Sequence, residues 1–192
     1  HAAMSVARGM QLAPHAVFVA PRMSAYKAAS KHVMNIFHSI TPLVQPLSLD
    51  EAFLDVSGAR HLFGSPEQIG TLIRQRVQQE AGLPCSVGIA STMFLAKLAT
   101  NHAKPNGLFV LADDNVLTFL HPLPIGEMWG VGPKTSEVLH RLGVHTVGDL
   151  AVLPQKTLSH ALGESVAAHL AELAWGRDTR HVQPEVVDKS IG

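Results

Sequence analysis

Apolar and polar positions along the chain fall into two regimes. Tyr26, Ala29, Val33, Ile36, Phe37 and Ile40 recur at three-and-four spacing, which predicts an amphipathic helix over 24–39, stopped at Pro42. The first ten residues read as the tail of a helix that Pro14 ends. The short apolar run 16–20 (AVFVA) predicts a buried strand. Residues 43–57 (LVQPLSLDEAFLDVS) have strand propensity on either side of a polar centre, predicting two antiparallel strands or one long bent strand. Ser65, Pro66 and Gln68 make a strong helix start, with Ile69, Leu72, Ile73 and Val77 as its buried face and Gly82 as its stop. Residues 84–90 alternate with Cys85, Val87 and Ile89 on one side, 92–103 return to helical spacing, and 108–111 read as a closing strand. This order predicts an α+β fold, a mostly antiparallel sheet with helices on one face.

After Ala112 the strand pattern stops. Short helices punctuated by Gly and Pro are predicted at 114–120, 133–142, 147–150, 155–161 and 164–175, with Gly143 and Gly163 at helix ends. The expected division is a sheet-containing part over 1–115, an all-helical part over 116–176 and an extended linker over 177–192.

Composition changes the picture in two ways. Hydrophobic residues are 46% of the 192 and charged residues 16%, so the chain can bury a core and is not of the disordered class. Lys plus Arg and Asp plus Glu are both 15, so the net charge is zero with His neutral. Nucleic-acid binders usually carry excess basic charge, so composition gives no support for DNA binding. A lone cysteine, Cys85, cannot form an internal disulfide, which fits a reducing, cytoplasmic setting. No charge-free apolar run reaches the roughly 18 residues of a membrane span, and residues 1–10 show no secretory pattern. The 12 histidines are scattered, without HExxH or zinc-site spacing, and there is no P-loop and no G-x-S-x-G elbow.

Three places carry candidate chemistry. Asp50 and Glu51 are adjacent carboxylates inside an apolar, strand-forming run. Such acids either sit solvated at a hairpin tip or gather around a hard cation such as Mg²⁺. Neighbours on a regular strand point to opposite faces, so both can serve one metal only where the backbone turns or bulges. Asp55 is expected to cap or solvate the strand end. Lys104 precedes Pro105-Asn106-Gly107; the residue before proline is driven to extended backbone, which presents the lysine from a fixed point either to solvent or to an anion such as a triphosphate. Residues 125–135 (IGEMWGVGPKT) read as helix, hairpin, helix. There Gly130 and Gly132, with Lys134 and Thr135 opening the second helix, make either a tight turn or a cradle for a DNA phosphate.

Taken in order, SLDEAFLDVSG (48–58), SVGIA, LAKLAT and AKPNG (86–107), WGVGPKT through LHRLGVHTVGDL (129–150) and the closing DKSIG resemble the Y-family DNA polymerases, closest to the DinB type, over nearly the whole chain. The resemblance implies a partial fingers and palm over 1–115 and a helical thumb over 116–176. It implies error-prone addition of dNTPs to the primer 3′ end of primer-template DNA, with two Mg²⁺. Asp50 and Glu51 match two of the family's metal carboxylates, Lys104 its triphosphate lysine, and Gly130 and Gly132 its phosphate-gripping thumb hairpin. A monomer is expected, with no membrane association, meeting a sliding clamp through regions outside this chain. The family's first strand with its Asp, its steric gate, the Tyr and Arg of its fingers and its little finger have no counterpart here. Met93 stands where many relatives carry lysine. The isolated chain is therefore expected not to polymerise. The alternatives are a catalytically silent DNA-binding or recruitment relative of the same fold, and a helix-hairpin-helix module on an unrelated α/β domain.

Overall fold

A computed structural model describes residues 4–184. Helices α1 (Val6–Leu12) and α2 (Met23–His38) lead into the hairpin of β1 (Val44–Pro46) and β2 (Ala52–Leu54), then α3 (Arg60–Phe63) and α4 (Pro66–Arg76). Strand β3 (Val87–Ile89), helix α5 (Met93–Ala103) and strand β4 (Leu108–Val110) follow. Five more helices follow among the described residues: α6 (Val116–Leu120), α7 (Pro133–Arg141), α8 (Val147–Val152), α9 (Gln155–Leu162) and α10 (Glu164–Ala174). The α+β class holds. The start of α4 forms as its residues dictate: Ser65 Oγ accepts from Gln68 N at 3.2 Å, and Gln68 Oε1 accepts from Ser65 N at 2.7 Å. Gly82 ends the following π-turn with φ +65°.

One expected element is absent. Residues 16–20 form no strand, and Val17 and Val19 are 88% and 86% exposed. An apolar run becomes a strand only beside a partner that takes up its backbone N–H and C=O groups, and none lies beside it among the described residues. Pairing elsewhere is also more varied than a mostly antiparallel sheet. β1 and β2 are antiparallel, with Val44 opposite Leu54, Gln45 opposite Phe53 and Pro46 opposite Ala52. β3 and β4 are parallel, because α5 lies between them as the crossover that parallel strands require.

Two apolar clusters organise the molecule. Ile36, Phe37, Ile40, Val44, Ile69 and Ile73 join α2, β1 and α4. Phe94, Leu95, Leu98 and Ala99 of α5 are buried together with Leu120, Leu139, Leu150 and Leu170 of the helical part. Each of these side chains larger than alanine contributes roughly 1.5–3 kcal/mol by leaving water. Helix α5 thus belongs to both halves: it packs on β3 with one face and enters the helical cluster with another. The approach to β3 is tight at Gly88, whose N–H donates to Thr100 Oγ1 at 3.1 Å. Residues 177–184 follow α10 without regular structure. The DKSIG segment lies outside the described residues.

Candidate active site

The hairpin puts the acid pair at its tip. The backbone bends over residues 47–50, and Leu47 N donates to Glu51 O at 2.8 Å to close the turn. A turn is the geometry that adjacent acids need if both are to serve one site. Asp50 is exposed, and its Oδ1 accepts the Ser48 hydroxyl at 2.6 Å. Glu51 is half-buried at the entry to β2, and its Oε2 lies 2.6 Å from Lys97 Nζ. A partly exposed pair of this kind contributes about 0–1 kcal/mol, so its consequence is orientation more than stability. Among the described residues no group of three or more His, Cys, Asp or Glu side chains could hold a metal ion.

Lys97 was not singled out from the sequence, although a signal existed. It is the one cation in the α5 stretch MFLAKLATNHA, flanked by buried Leu95 and Leu98, and a lysine on so apolar a helix needs an acid nearby. Lys104 stands two turns further on, about 10 Å of helix rise, with the extended ψ of 144° expected before a proline. Neither acid is within ion-pair distance of it. Its turn is tied down: the Arg74 guanidinium donates to Asn106 O and, through Nε, to Cys85 O at 3.0 Å, while Val87 N donates to Gly107 O at 3.0 Å. Asp55 caps the strand end as expected, accepting from Ser57 N at 2.9 Å, and these Ser57 hydrogen bonds hold its carboxyl below the usual aspartate value.

The helical part presents its first hairpin in the loop between a 3₁₀ turn (Ile125–Glu127) and α7. Gly130 takes φ +101°, which disfavours any residue with a Cβ. Gly132 is different. Its φ of −81° suits any residue, and an added Cβ would meet no atom within 4 Å. The chain's own packing therefore does not require glycine at 132. Lys134 is exposed and Thr135 half-buried in the first turn of α7. The base of this unit is closed by Ile125 N donating to His145 O at 2.8 Å, and by a capping box in which Thr146 and Asp149 bond each other's backbone N–H.

The two halves meet where Trp129, next to Gly130, faces Phe53 of β2 with ring centroids 5.8 Å apart. Arg180 lies over the same indole, 4.5 Å from its centroid, and its Nε and Nη2 hold Asp178 at 2.7 and 2.8 Å. Asp178 in turn accepts from Phe94 N, in the first turn of α5, at 3.1 Å. Burial pushes its carboxyl pKa up, but the Arg180 and Phe94 bonds outweigh this and hold it below the usual value. No helix among the described residues is long and apolar enough to cross a membrane.

The sequence and fold that carry this arrangement are similar to those of known proteins. The chain belongs to the impB/mucB/samB family, which it matches over residues 1–101, and residues 113–144 match the family's helix-hairpin-helix motif. Within that family it is DinB-like. It is 43% identical over 176 residues to DNA polymerase IV 2 of Mesorhizobium japonicum, covering 92% of this chain and 42% of the relative. It is also 43% identical to DNA polymerase IV of Exiguobacterium sibiricum over 100% of this chain and 53% of that one. The structure of DinB from Sulfolobus solfataricus superposes with a TM-score of 0.87 at 30% identity, over 96% of this chain and 54% of that one. An insertion ternary complex of Dbh DNA polymerase gives 0.86 at 30% identity, over 95% and 54%. The chain spans about half the length of the curated relatives it matches.

Proposed function

We propose that this chain supplies two of the catalytic acids and the DNA-gripping thumb of an error-prone, template-directed DNA polymerase. The primer 3′-hydroxyl attacks the α-phosphate of a dNTP, the new P–O bond forms, and pyrophosphate leaves. The observation that carries the reading is the acid pair at the bend of the β1–β2 hairpin, faced by Lys97 and joined through Phe53 and Trp129 to the Gly130–Gly132 hairpin.

The donor set fits a hard divalent cation. Both acids offer carboxylate oxygens, and each keeps a second oxygen without a protein partner among the described residues. Mg²⁺ takes few carboxylates and completes its shell with water and phosphate oxygens. Asp50 and Glu51 would hold the two Mg²⁺ of the complete polymerase, and bound metal there would activate the attacking hydroxyl and stabilise charge on the phosphate. Lys97 orients Glu51. Lys104, presented from its latched turn, offers a cation to the triphosphate. Gly130, Gly132, Lys134 and Thr135 hold a backbone phosphate at the start of α7, reading no sequence.

In this reading residues 1–115 are palm with part of the fingers, 116–176 the thumb and 177–192 the path to a further domain. The polymerase acts as a cytoplasmic monomer on primer-template DNA, meeting any sliding clamp through regions outside this chain. Because the chain spans about half of its relatives, it is expected not to extend a primer alone; steady extension by the isolated chain would contradict this. A catalytically silent relative would have no use for paired acids with a lysine set against one of them. The thumb assignment has its own test. Gly132→Ala meets no protein atom within 4 Å, so its melting temperature should fall by no more than roughly 4 °C, from the poorer N-cap that alanine makes, while duplex affinity falls roughly fivefold as the new methyl holds the phosphate away. Unchanged duplex affinity would remove Gly132 from the interface.

A further inference from the structure

We propose that the Asp178–Arg180 pair is a positioning clasp for Glu51, fixing Lys97 on one side of the acid and Phe53 on the other. The site it acts on takes its meaning from the polymerase reading; the clasp itself rests on contacts within the chain.

Asp178 is an unexpected residue to find buried. It lies in a segment without regular structure, yet its side chain is 1% exposed. Taking a carboxylate out of water costs several kcal/mol unless it is fully partnered. Its partners are Phe94 N at 3.1 Å, Arg180 N at 3.2 Å and the Arg180 fork at 2.7 and 2.8 Å. Capping α5 does not explain the burial. Thr92 already caps that helix through Leu95 N at 3.3 Å, and a cap contributes only about 1 kcal/mol. What Asp178 adds is a fixed location for the α5 N-terminus.

Two lines run from the pair to Glu51. One passes from Asp178 to Phe94 and along less than one turn of rigid helix to Lys97, whose ammonium meets Glu51 at 2.6 Å. The other passes from Arg180 to Trp129, then to Phe53, which continues the strand alternation from Glu51 and so shares its face. Gln183 N reinforces the second line by donating to Gln45 Oε1 at 2.8 Å, and Gln45 is the cross-strand partner of Phe53. Residues 178–183 therefore cross the Glu51 face of the hairpin and bind what lies on either side of it.

The test reads the Lys97–Glu51 contact directly. In chain labelled with ¹⁵N-lysine, the Lys97 Nζ resonance is assigned with Lys97→Arg, and its displacement by Glu51→Gln is measured in the parent. The same displacement is then measured in Asp178→Asn, Arg180→Ala and Leu158→Ala backgrounds. Leu158 is a buried residue of α9 with no hydrogen bond to the clasp, and controls for lost stability. The expected result is at least a threefold smaller displacement in the two clasp backgrounds and a full one with Leu158→Ala. Should Asp178→Asn not fold, Arg180→Ala carries the test, because that side chain is 40% exposed. A full displacement in the clasp variants overturns the proposal. So does an equal loss with Leu158→Ala, or no displacement in the parent. None of these outcomes depends on primer extension, so the clasp and the polymerase reading fail separately.

Discussion

Asp50→Asn in the full-length polymerase is expected to slow single-nucleotide extension by about 10³-fold while changing primer-template affinity by less than about twofold. The substitution isolates charge. Asparagine keeps the size of the side chain and an Oδ1 that accepts the Ser48 hydroxyl, so the bend of the hairpin is retained. It removes the anionic oxygens that a hard cation needs, and stabilisation of phosphate charge is the largest single part of such a reaction's acceleration. In the proposed reading DNA affinity is set elsewhere, at the Gly130–Gly132 hairpin and the start of α7, and should be nearly unaffected. Glu51→Gln is a less clean test, because it also releases Lys97. Extension under single-turnover conditions, with duplex titration alongside, distinguishes the two quantities. A rate within tenfold of the parent's would mean that Asp50 is a solvated turn residue.

Gly88→Ala is expected to destabilise the chain by about 3 kcal/mol or more, at the upper end of what overpacking does. A Cβ at this position would lie 2.1 Å from Thr100 N, 2.5 Å from Ala96 O and 2.5 Å from Ala99 C. All three are backbone atoms of α5, so no rotamer change relieves the overlap; the helix must move off the strand. Moving it also breaks the Gly88 N–Thr100 Oγ1 bond and disturbs the helical cluster that α5 shares. For a chain of this size the loss corresponds to roughly 6–12 °C in melting temperature. Chemical denaturation of the parent and variant measures it, and a change under about 1 kcal/mol would contradict the tight packing of α5 on β3.

The sequence was legible wherever structure is decided locally. The capping box at 65–68, the extended backbone before Pro105 and the helix α2 each follow from a few neighbouring residues and formed as read, although the apolar face of α2 is buried only at its end, at Ile36 and Phe37, while Tyr26 and Ala29 are exposed. The hairpin was legible too, because strand formers flank a polar centre. What failed depended on distant partners. Residues 16–20 have a strand's composition, but pairing is a property of two segments and composition describes one. The parallel pairing of β3 with β4 was hidden for the same reason. Asp178 was the least legible. It sits in a polar stretch with no periodicity, and its burial comes from an amide 84 residues earlier in the chain. Among candidate site residues, Asp50, Glu51, Lys104 and the glycines at 130 and 132 stood out by motif. Lys97 did not, because its meaning lies in the acid opposite it.

A Mn²⁺ titration of the ¹⁵N-labelled chain, followed by paramagnetic broadening of backbone amides, bears most directly on the acid pair. Binding at the hairpin tip broadens Asp50, Glu51 and Ala52 together at low Mn²⁺, and Asp50→Asn abolishes the effect. Broadening confined to other parts of the chain, or unchanged by Asp50→Asn, would contradict a metal site built on these two carboxylates.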